Sequence, residues 1–407
     1  MTIADLHGLR IACQRSNSPV AYCALSIQSG TRDEGPLSGL AHFTEHLLFK
    51  GTAGRNATAI NNRLERLGGE LNAYTTKEDT VIHATVLKED LAKAIDLLVE
   101  MAFTSTFPEK EVEKERIVIL DEINSYKDAP AEQIFDDFEE TLFAGTNLAT
   151  PVLGYAKVLK KIRREHIVDY VHHSFVPERM SLTVMADESE ARIASWIRRS
   201  FEKHNVGAES HSQPTVPTPL QLQTSPFLKE IKRKGYQTHC LIGGPAYSAF
   251  DPRRNALVLL INLLGGPAAN SRLNTQLREK NALVYSVDAS YNTYRDTGCF
   301  CIYFGCDHDH YDRCVQLVHK ELNQLCDHPL SETALRAAKK QFLGQWAISS
   351  DNGESQVLAM GKSLLTHGKI RSREEIRTLI ENITAEDILA VAQDLFNPNQ
   401  LSQLAYI

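Results

Sequence analysis

The sequence predicts an α+β protein made of two homologous halves, each a mainly antiparallel sheet covered by helices. Strand-like and helix-like segments alternate in the same order in both halves, with hairpin spacings between strands. The stretch 206–226, VGAESHSQPTVPTPLQLQTSP, holds several prolines and few large apolar residues, which is typical of a linker. A hydrophobic share of 43% over 407 residues suffices for two cores. We therefore expect one half over 1–205 and the other over 227–407.

The elements of the two halves correspond in order. Each half begins with a strand and a helix, continues with a second helix that leads into a strand, and then adds a further strand and helix. In the first half these segments are 20–29, 38–49, 61–76, 80–87 and 89–103; in the second they are 239–243, 252–264, 271–287, 298–304 and 311–326. This correspondence indicates a duplication.

The helix predicted over 38–49 has the features of a helix that packs on a core. Ser38 is a suitable N-cap residue. Leu40, Phe43, Leu47 and Leu48 form an apolar stripe at helical spacing. We expect the stripe to be buried and to fix the orientation of the helix.

The same helix carries the run HFTEH at 42–46, which has the zinc-site pattern H-x-x-E-H. Residues four apart lie on one helix face about one turn apart, so His42 and His46 can reach the same ion. Glu45 projects about 100° away from His46, beside the ion, which suits a base that takes a proton from water. The alternative is a helix with two solvated or core histidines.

A third ligand should come from another element, because catalytic zinc usually keeps three protein ligands and one open position. Glu115 and Glu122 are seven residues apart, and two helical turns leave them on one face with a drift of about 20°. The apolar run IVIL at 117–120 predicts that this helix is buried. The alternative is a charged surface helix.

Together these motifs resemble the inverzincin metallopeptidases, and more specifically the pitrilysin (M16) family. The family includes mitochondrial processing peptidase and insulin-degrading enzyme. Glu122 follows the second histidine of H-x-x-E-H by 76 residues, with Glu115 seven before it. Further matching segments are GTRDE at 30–34, FKGT at 49–52, GGELNAYT at 68–75 and PVLG at 151–154. The resemblance continues into the second half.

The resemblance implies a zinc endopeptidase that hydrolyses short or unfolded peptides with a zinc-bound water. His42, His46 and Glu122 would bind one Zn²⁺ per chain, and Glu45 would be the general base. Glu115 would orient a ligating histidine. The same ligands accept cobalt or manganese, so the native metal stays open. No covalent intermediate is required.

The resemblance also implies that the two halves face each other like a clam shell and that the second half has lost its metal site. Its helix at 252–264 has no histidine. Arg278 and Tyr285 match an Arg/Tyr pair of the family, in which the tyrosine hydroxyl supports the oxyanion and the arginine holds substrate. The alternatives are a surface charge and a core aromatic residue.

Asn72 and Ala73 lie where family members present an exposed strand edge. The resemblance implies that an extended peptide substrate adds there as a further strand, held by backbone hydrogen bonds. This type of binding favours extended or unfolded peptides over folded proteins.

Apolar runs, the N-terminal sequence and net charge restrict the classes of protein to which this chain can belong. No apolar run approaches the 18 or so residues of a bilayer span, so no membrane contact is expected. The N-terminal sequence has neither an export signal nor an organelle presequence, which predicts a cytoplasmic protein. The net charge of −7 argues against nucleic acid as the main partner.

The eight cysteines form no disulfide framework. A second metal cluster at Cys299, Cys301, Cys306, His308 and His310 is one interpretation. We prefer a strand with Cys299 and Cys301 on one face, where free cysteine behaves as a small hydrophobic residue.

The resemblance implies a partner subunit, because family members of this length pair as homodimers or with an inactive homologue. This chain has both the H-x-x-E-H motif and the Arg/Tyr pair, so we expect a self-sufficient homodimer. The alternative functions are a structural subunit of a larger complex and a peptide-binding protein without turnover.

Overall fold

The protein is described from a computed structural model for residues 2–207, 218–222 and 225–407. Most of the linker predicted over 206–226 lies outside the described residues, which exclude 208–217 and 223–224. The predicted α+β class is confirmed, because the described chain forms two mainly antiparallel sheets covered by helices. No helix in these ranges is both long and apolar enough to cross a bilayer.

The strands form one sheet in each half of the sequence. In chain order they are β1 (Thr2–Leu6), β2 (Leu9–Arg15), β3 (Val20–Ile27), β4 (Glu70–Thr75), β5 (Thr80–Leu87), β6 (Met180–Ala186), β7 (Leu228–Ile231), β8 (Thr238–Ala246), β9 (Val284–Thr293), β10 (Gly298–Cys306) and β11 (Ser402–Tyr406).

The two sheets have the same topology. The first has the order β1-β2-β6-β3-β5-β4 and the second the order β7-β11-β8-β10-β9. In each sheet one pair is parallel, β2 with β6 and β7 with β11, and the other neighbours are antiparallel. Leaving aside β1, every strand of the first sheet has a counterpart in the second, as the predicted duplication requires.

The helices cover the faces of these sheets. In chain order they are α1 (Leu40–Leu48), α2 (Ala57–Glu65), α3 (Leu91–Thr104), α4 (Glu109–Lys127), α5 (Pro130–Leu142), α6 (Ala156–Leu159), α7 (Arg164–Ser174), α8 (Glu190–Lys203), α9 (Arg254–Gly265), α10 (Tyr311–Asp327), α11 (Glu332–Ser349), α12 (Gly353–His367), α13 (Arg373–Glu381) and α14 (Ala385–Leu395). A π-helical turn, Asn274–Glu279, precedes β9.

The chain packs as two units, and each unit includes a segment from the far side of the predicted linker. The described part of the first unit comprises 2–125, 150–207 and 348–370; that of the second comprises 126–149, 218–222, 225–347 and 371–407. Helix α12 therefore packs on β3 and β6, and α5 packs on β8 and β11. The boundaries 1–205, 206–226 and 227–407 stay a prediction of the homologous halves, whereas the packing units are discontinuous.

Helix α12 lies very close to the first sheet. A Cβ atom at Gly353 would come within 2.3 Å of the Tyr22 ring, and one at Gly361 within 2.5 Å of Ser26 Oγ. Thr183 on β6 donates its hydroxyl to the Val357 carbonyl at 2.8 Å. Only glycine fits at these two helix positions without displacing the strand side chains.

Candidate metal centre

Helix α1 is held by its apolar stripe, as the sequence predicts. Leu40 is 4% exposed, and Phe43, Leu47 and Leu48 are fully buried in the core of the first unit. This burial leaves His42 and His46 on one side of the helix, with ring centroids 4.6 Å apart.

The N-terminus of α1 differs from the prediction. The helix begins at Leu40, and Ser38 does not cap it; the Ser38 hydroxyl instead accepts the Tyr155 N–H at 3.3 Å. The carboxyl group of Glu34 accepts the N–H groups of Gly39 and Ala41, at 2.8 and 3.0 Å. The carboxyl group of Glu34, on a preceding loop, therefore accepts the N–H groups at the start of α1. The sequence predicted this role for the Ser38 hydroxyl.

The second element of the candidate metal centre is α4. Glu122 Oε2 lies 3.9 Å from His42 Nε2 and 3.6 Å from His46 Nε2. All three ligand atoms lie within 4.8 Å of one another. Bond lengths of about 2.0–2.2 Å in a tetrahedral site place ligand atoms about 3.3 Å apart, so these separations require only small adjustments.

The protonation of His42 also suits metal binding. Burial lowers the pKa of His42 to about 3, and the neighbouring His46 acts in the same direction. The imidazole is therefore neutral near pH 7, with a free electron pair on one ring nitrogen. Two imidazoles and one carboxylate form a donor set that zinc accepts.

Glu115 lies beside His46. Its Oε2 is 3.1 Å from His46 Nδ1, the ring nitrogen that faces away from Glu122. Its Oε1 is 2.8 Å from Nζ of Lys50. Lys50 was not predicted from the sequence, because it lies two residues beyond the last residue of α1, where helical spacing no longer places side chains.

The apolar run on α4 is only partly buried, which corrects the prediction. Ile119 is fully buried, but Ile117 is 62% exposed and Val118 is 49% exposed. A period of 3.6 residues places Glu115 and Ile119 on the face that meets the core and turns Ile117 outward. The buried face thus includes Glu115, which is 7% exposed.

Glu45 precedes His46 in the same turn of α1. Its side chain is partly buried, and burial raises the pKa of Glu45 from its ordinary value. The charge of Glu122 acts in the same direction, whereas His46 acts against it. A carboxyl group with a raised pKa holds a proton more strongly than a free glutamate does, which suits a group that accepts a proton and then donates it.

Asn72 and Ala73 lie on β4, the outermost strand of the first sheet. Asn72 pairs with His83 and Ala73 with Ile82, so β4 has a neighbour on one side only among the described strands. The Ala73 side chain packs against the core, and Asn72 is exposed. The arrangement leaves one strand edge open to a further strand.

Arg278 and Tyr285 belong to the second unit. Arg278 lies in the π-helical turn, where its side chain is 53% exposed and 3.6 Å from Glu279. Tyr285 lies on β9, is 61% exposed, and donates its hydroxyl to Asp307 Oδ1 at 2.9 Å. The alternative of a core aromatic residue at 285 is wrong. Contacts of this pair with substrate stay a prediction.

Another acidic group in the first unit is an ion-pair network rather than a metal site. Ligand atoms of Asp96, Glu100 and His204 lie within 4.8 Å of one another. Lys203 Nζ lies 2.6 Å from Asp96 Oδ2, and Arg55 pairs with Glu100. These cations neutralise the carboxylates that a metal would need.

The cysteines of β10 are buried, as predicted. Cys299 and Cys301 are 1% and 3% exposed, and their Sγ atoms are 3.5 Å apart on one strand face. They behave as small core residues.

Comparisons with known proteins cover nearly the whole chain. Residues 10–155 match the family described as Insulinase (Peptidase family M16), and residues 161–342 match the Peptidase M16 inactive domain. The chain is 32% identical over 369 residues to the uncharacterized zinc protease SCO5738 of Streptomyces coelicolor, covering 90% of this chain and 80% of that protein. It is 30% identical over 393 residues to the uncharacterized zinc protease YmxG of Bacillus subtilis, covering 96% and 94%.

Two solved structures have the same fold. They are described as a peptidase M16 inactive domain from Pseudomonas fluorescens, with a TM-score of 0.90, and a protease from Helicobacter pylori, with a TM-score of 0.91. Each is 18% identical and covers 100% of this chain and 98% of the other.

Proposed function

This chain belongs to peptidase family M16 in its short, two-domain form, and on that premise we propose that it is a zinc-dependent endopeptidase for short or unfolded peptides. The observation that carries the proposal is the convergence of His42, His46 and Glu122 within 4.8 Å, with Glu45 in the same turn of helix. The names of the relatives, zinc proteases, support the same class of reaction.

Each residue of the candidate metal centre has a separate role in the proposed hydrolysis. His42, His46 and Glu122 would hold one Zn²⁺ per chain. When bound, the ion lowers the pKa of a water ligand to about 7 and polarises the scissile carbonyl. Glu45 takes the proton of the attacking water and gives it to the leaving amine. Glu115 fixes the ring of His46 through Nδ1.

Substrate binding is proposed at the open edge of β4. An extended peptide that adds beside Asn72 and Ala73 gains backbone hydrogen bonds regardless of its side chains. By their match to the family, Arg278 and Tyr285 of the second unit are further proposed substrate contacts, Tyr285 as an oxyanion donor.

We also propose that the active form is a homodimer rather than a pair with an inactive homologue, because one chain carries both the metal motif and the Arg/Tyr pair. Light scattering of the purified protein measures the subunit number directly. A purely monomeric, fully active protein contradicts this proposal.

The test of the function compares wild type with Glu45→Gln on quenched fluorescent peptides, with the zinc content of both measured. We expect the variant to keep about one zinc per chain and to lose activity by several orders of magnitude, since the proton acceptor is gone while the ligands remain. Glu113→Gln, on the exposed side of α4, is the matched control and should keep full activity.

The alternative functions give a different result. A structural subunit or a peptide-binding protein would bind zinc or peptide without zinc-dependent cleavage. Wild-type protein that holds zinc and cleaves no peptide, at concentrations where it is dimeric, therefore contradicts the proposed function.

A further inference from the structure

The two histidines of the metal centre are held in different ways. His46 Nδ1 meets a carboxylate oxygen of Glu115 at 3.1 Å. His42 Nδ1 is buried and has no hydrogen-bond partner within the described part of the chain. A ligating histidine usually donates its second ring nitrogen to an acceptor that fixes the ring. His42 has no such acceptor at Nδ1 among the described residues, so the orientation of its ring depends on the position of its backbone.

The backbone of His42 belongs to the first turn of α1. The first four N–H groups of a helix have no partner inside the helix, and the turn frays unless another group accepts them. Glu34 accepts two N–H groups in this region, those of Gly39 and Ala41, one with each carboxyl oxygen. Both bonds are shielded from water, because Glu34 is only 5% exposed.

The backbone at Gly39, the residue before α1, is also sterically constrained. Gly39 has φ 87°, a left-handed conformation that favours glycine, and a Cβ there would come within 2.8 Å of the Leu153 carbonyl oxygen. The backbone that leads into α1 therefore has few alternative conformations once Glu34 accepts the N–H groups of Gly39 and Ala41.

We propose that Glu34 is a positioning residue for the metal centre, which fixes His42 through the first turn of α1 as Glu115 fixes His46 through its ring. This inference rests on the proposed metal site. Glu34 does not touch the ligands; it acts through the backbone of Gly39 and Ala41.

The experiment measures zinc affinity by chelator competition, and the absorption spectrum of the Co²⁺-substituted protein, for the full-length chain. Glu34→Ala removes both acceptors and should weaken zinc binding by about 10- to 100-fold, the usual effect of removing a group that supports a ligand. It should also change the Co²⁺ spectrum, because His42 no longer has a fixed direction.

Two further variants serve as a conservative comparison and as a control. Glu34→Gln keeps one acceptor oxygen and should give a smaller loss of affinity, which serves as the conservative comparison if Glu34→Ala folds poorly. Ser38→Ala is the matched control, since the Ser38 hydroxyl meets the Tyr155 N–H and no N–H of the helix. It should leave zinc affinity and the Co²⁺ spectrum unchanged. Thermal unfolding of the metal-free variants identifies any general loss of folding.

The outcomes separate this inference from the proposed function. Folded Glu34→Ala or Glu34→Gln protein with wild-type zinc affinity and an unchanged Co²⁺ spectrum overturns the role of Glu34. Wild-type protein that binds zinc but cleaves nothing overturns the peptidase, and the dependence of zinc affinity on Glu34 is still measured.

Discussion

Glu115 Oε2 lies 3.1 Å from Nδ1 of His46, while its other oxygen lies 2.8 Å from Nζ of Lys50. The carboxylate thus bridges His46 on α1 and Lys50, which lies two residues beyond the end of that helix. Because Lys50 holds the carboxylate from one side, the other oxygen has a fixed direction toward the imidazole. The contact keeps the Nε2 atom of His46 available on the side of Glu122.

We expect Glu115→Ala to weaken zinc binding by about 10- to 100-fold, because His46 loses the acceptor that fixes its ring. Metal affinity by chelator competition is the measurement. Glu113→Ala is the control, since Glu113 is on the same helix but pairs with Arg116 at the surface. Equal affinities for the two variants would show that the Glu115 contact is not needed.

The proposed binding of substrate at the edge of β4 predicts that the N–H groups of a peptide matter more for its affinity than its side chains do. We expect N-methylation of a cleaved peptide to raise KM at alternate positions, because only every second residue of a strand faces its neighbour with both backbone groups. Steady-state kinetics on a series methylated one residue at a time is the measurement. A uniform response along the peptide argues against strand addition.

The contact of α12 with the first sheet predicts a steric effect at Gly353. Gly353→Ala places a methyl group against the Tyr22 ring and should lower the free energy of unfolding by about 1–3 kcal/mol. Gly344→Ala on α11 is the matched control, because a Cβ there has no neighbour within 4 Å. It should instead stabilise the helix, by up to about 1 kcal/mol. Urea unfolding measures both; the same sign for the two variants contradicts the close packing.

The raised pKa of the buried Glu34 carboxyl group predicts that the free energy of unfolding depends on pH. Burial raises the pKa of Glu34 from 4.5 to about 8; Asp33 acts in the same direction, and the N–H bonds act against it. Between these values the folded protein keeps a proton that the unfolded chain has lost. This stabilising contribution is therefore complete below pH 4.5 and is lost as the pH rises toward 8, by at most about 1.4 kcal/mol per pH unit.

The measurement is urea unfolding of metal-free wild type and Glu34→Gln at several pH values between about 5 and 8. Glutamine does not titrate, so the stability of wild type relative to Glu34→Gln should fall as the pH rises. A difference that is independent of pH would mean that Glu34 titrates alike in the folded and unfolded chain.

Local periodicity predicted which candidate residues share a helix face, and the family resemblance supplied their roles. The spacing of His42 and His46 on one helix, and of Glu115 and Glu122 on another, follows from the helical repeat alone. Lys50 lies beyond the end of α1, and the helical repeat does not place it. Side chains that lie within one helix are therefore accessible to sequence analysis.

Features that depend on distant packing were not predictable in this way. The preference for hydroxyl caps suggested Ser38, whereas the loop brings Glu34 to the helix instead. The apolar run of α4 indicated burial, but its direction is set by the core, and Ile117 faces outward. An amphipathic helix shows that one face is buried without identifying the sheet that buries it, so the placement of α12 could not be read from its sequence.

The position of α12 in the chain has a consequence for synthesis. It covers the sheet face that carries Tyr22, Ala24 and Val81, through its residue Val357. A growing chain presents those side chains to solvent until the ribosome has added α12, Gly353–His367. Apolar surface exposed for this long is what chaperones bind. The first 205 residues, expressed alone, should therefore aggregate or remain chaperone-bound, because the first unit can complete its fold only after α12 has emerged.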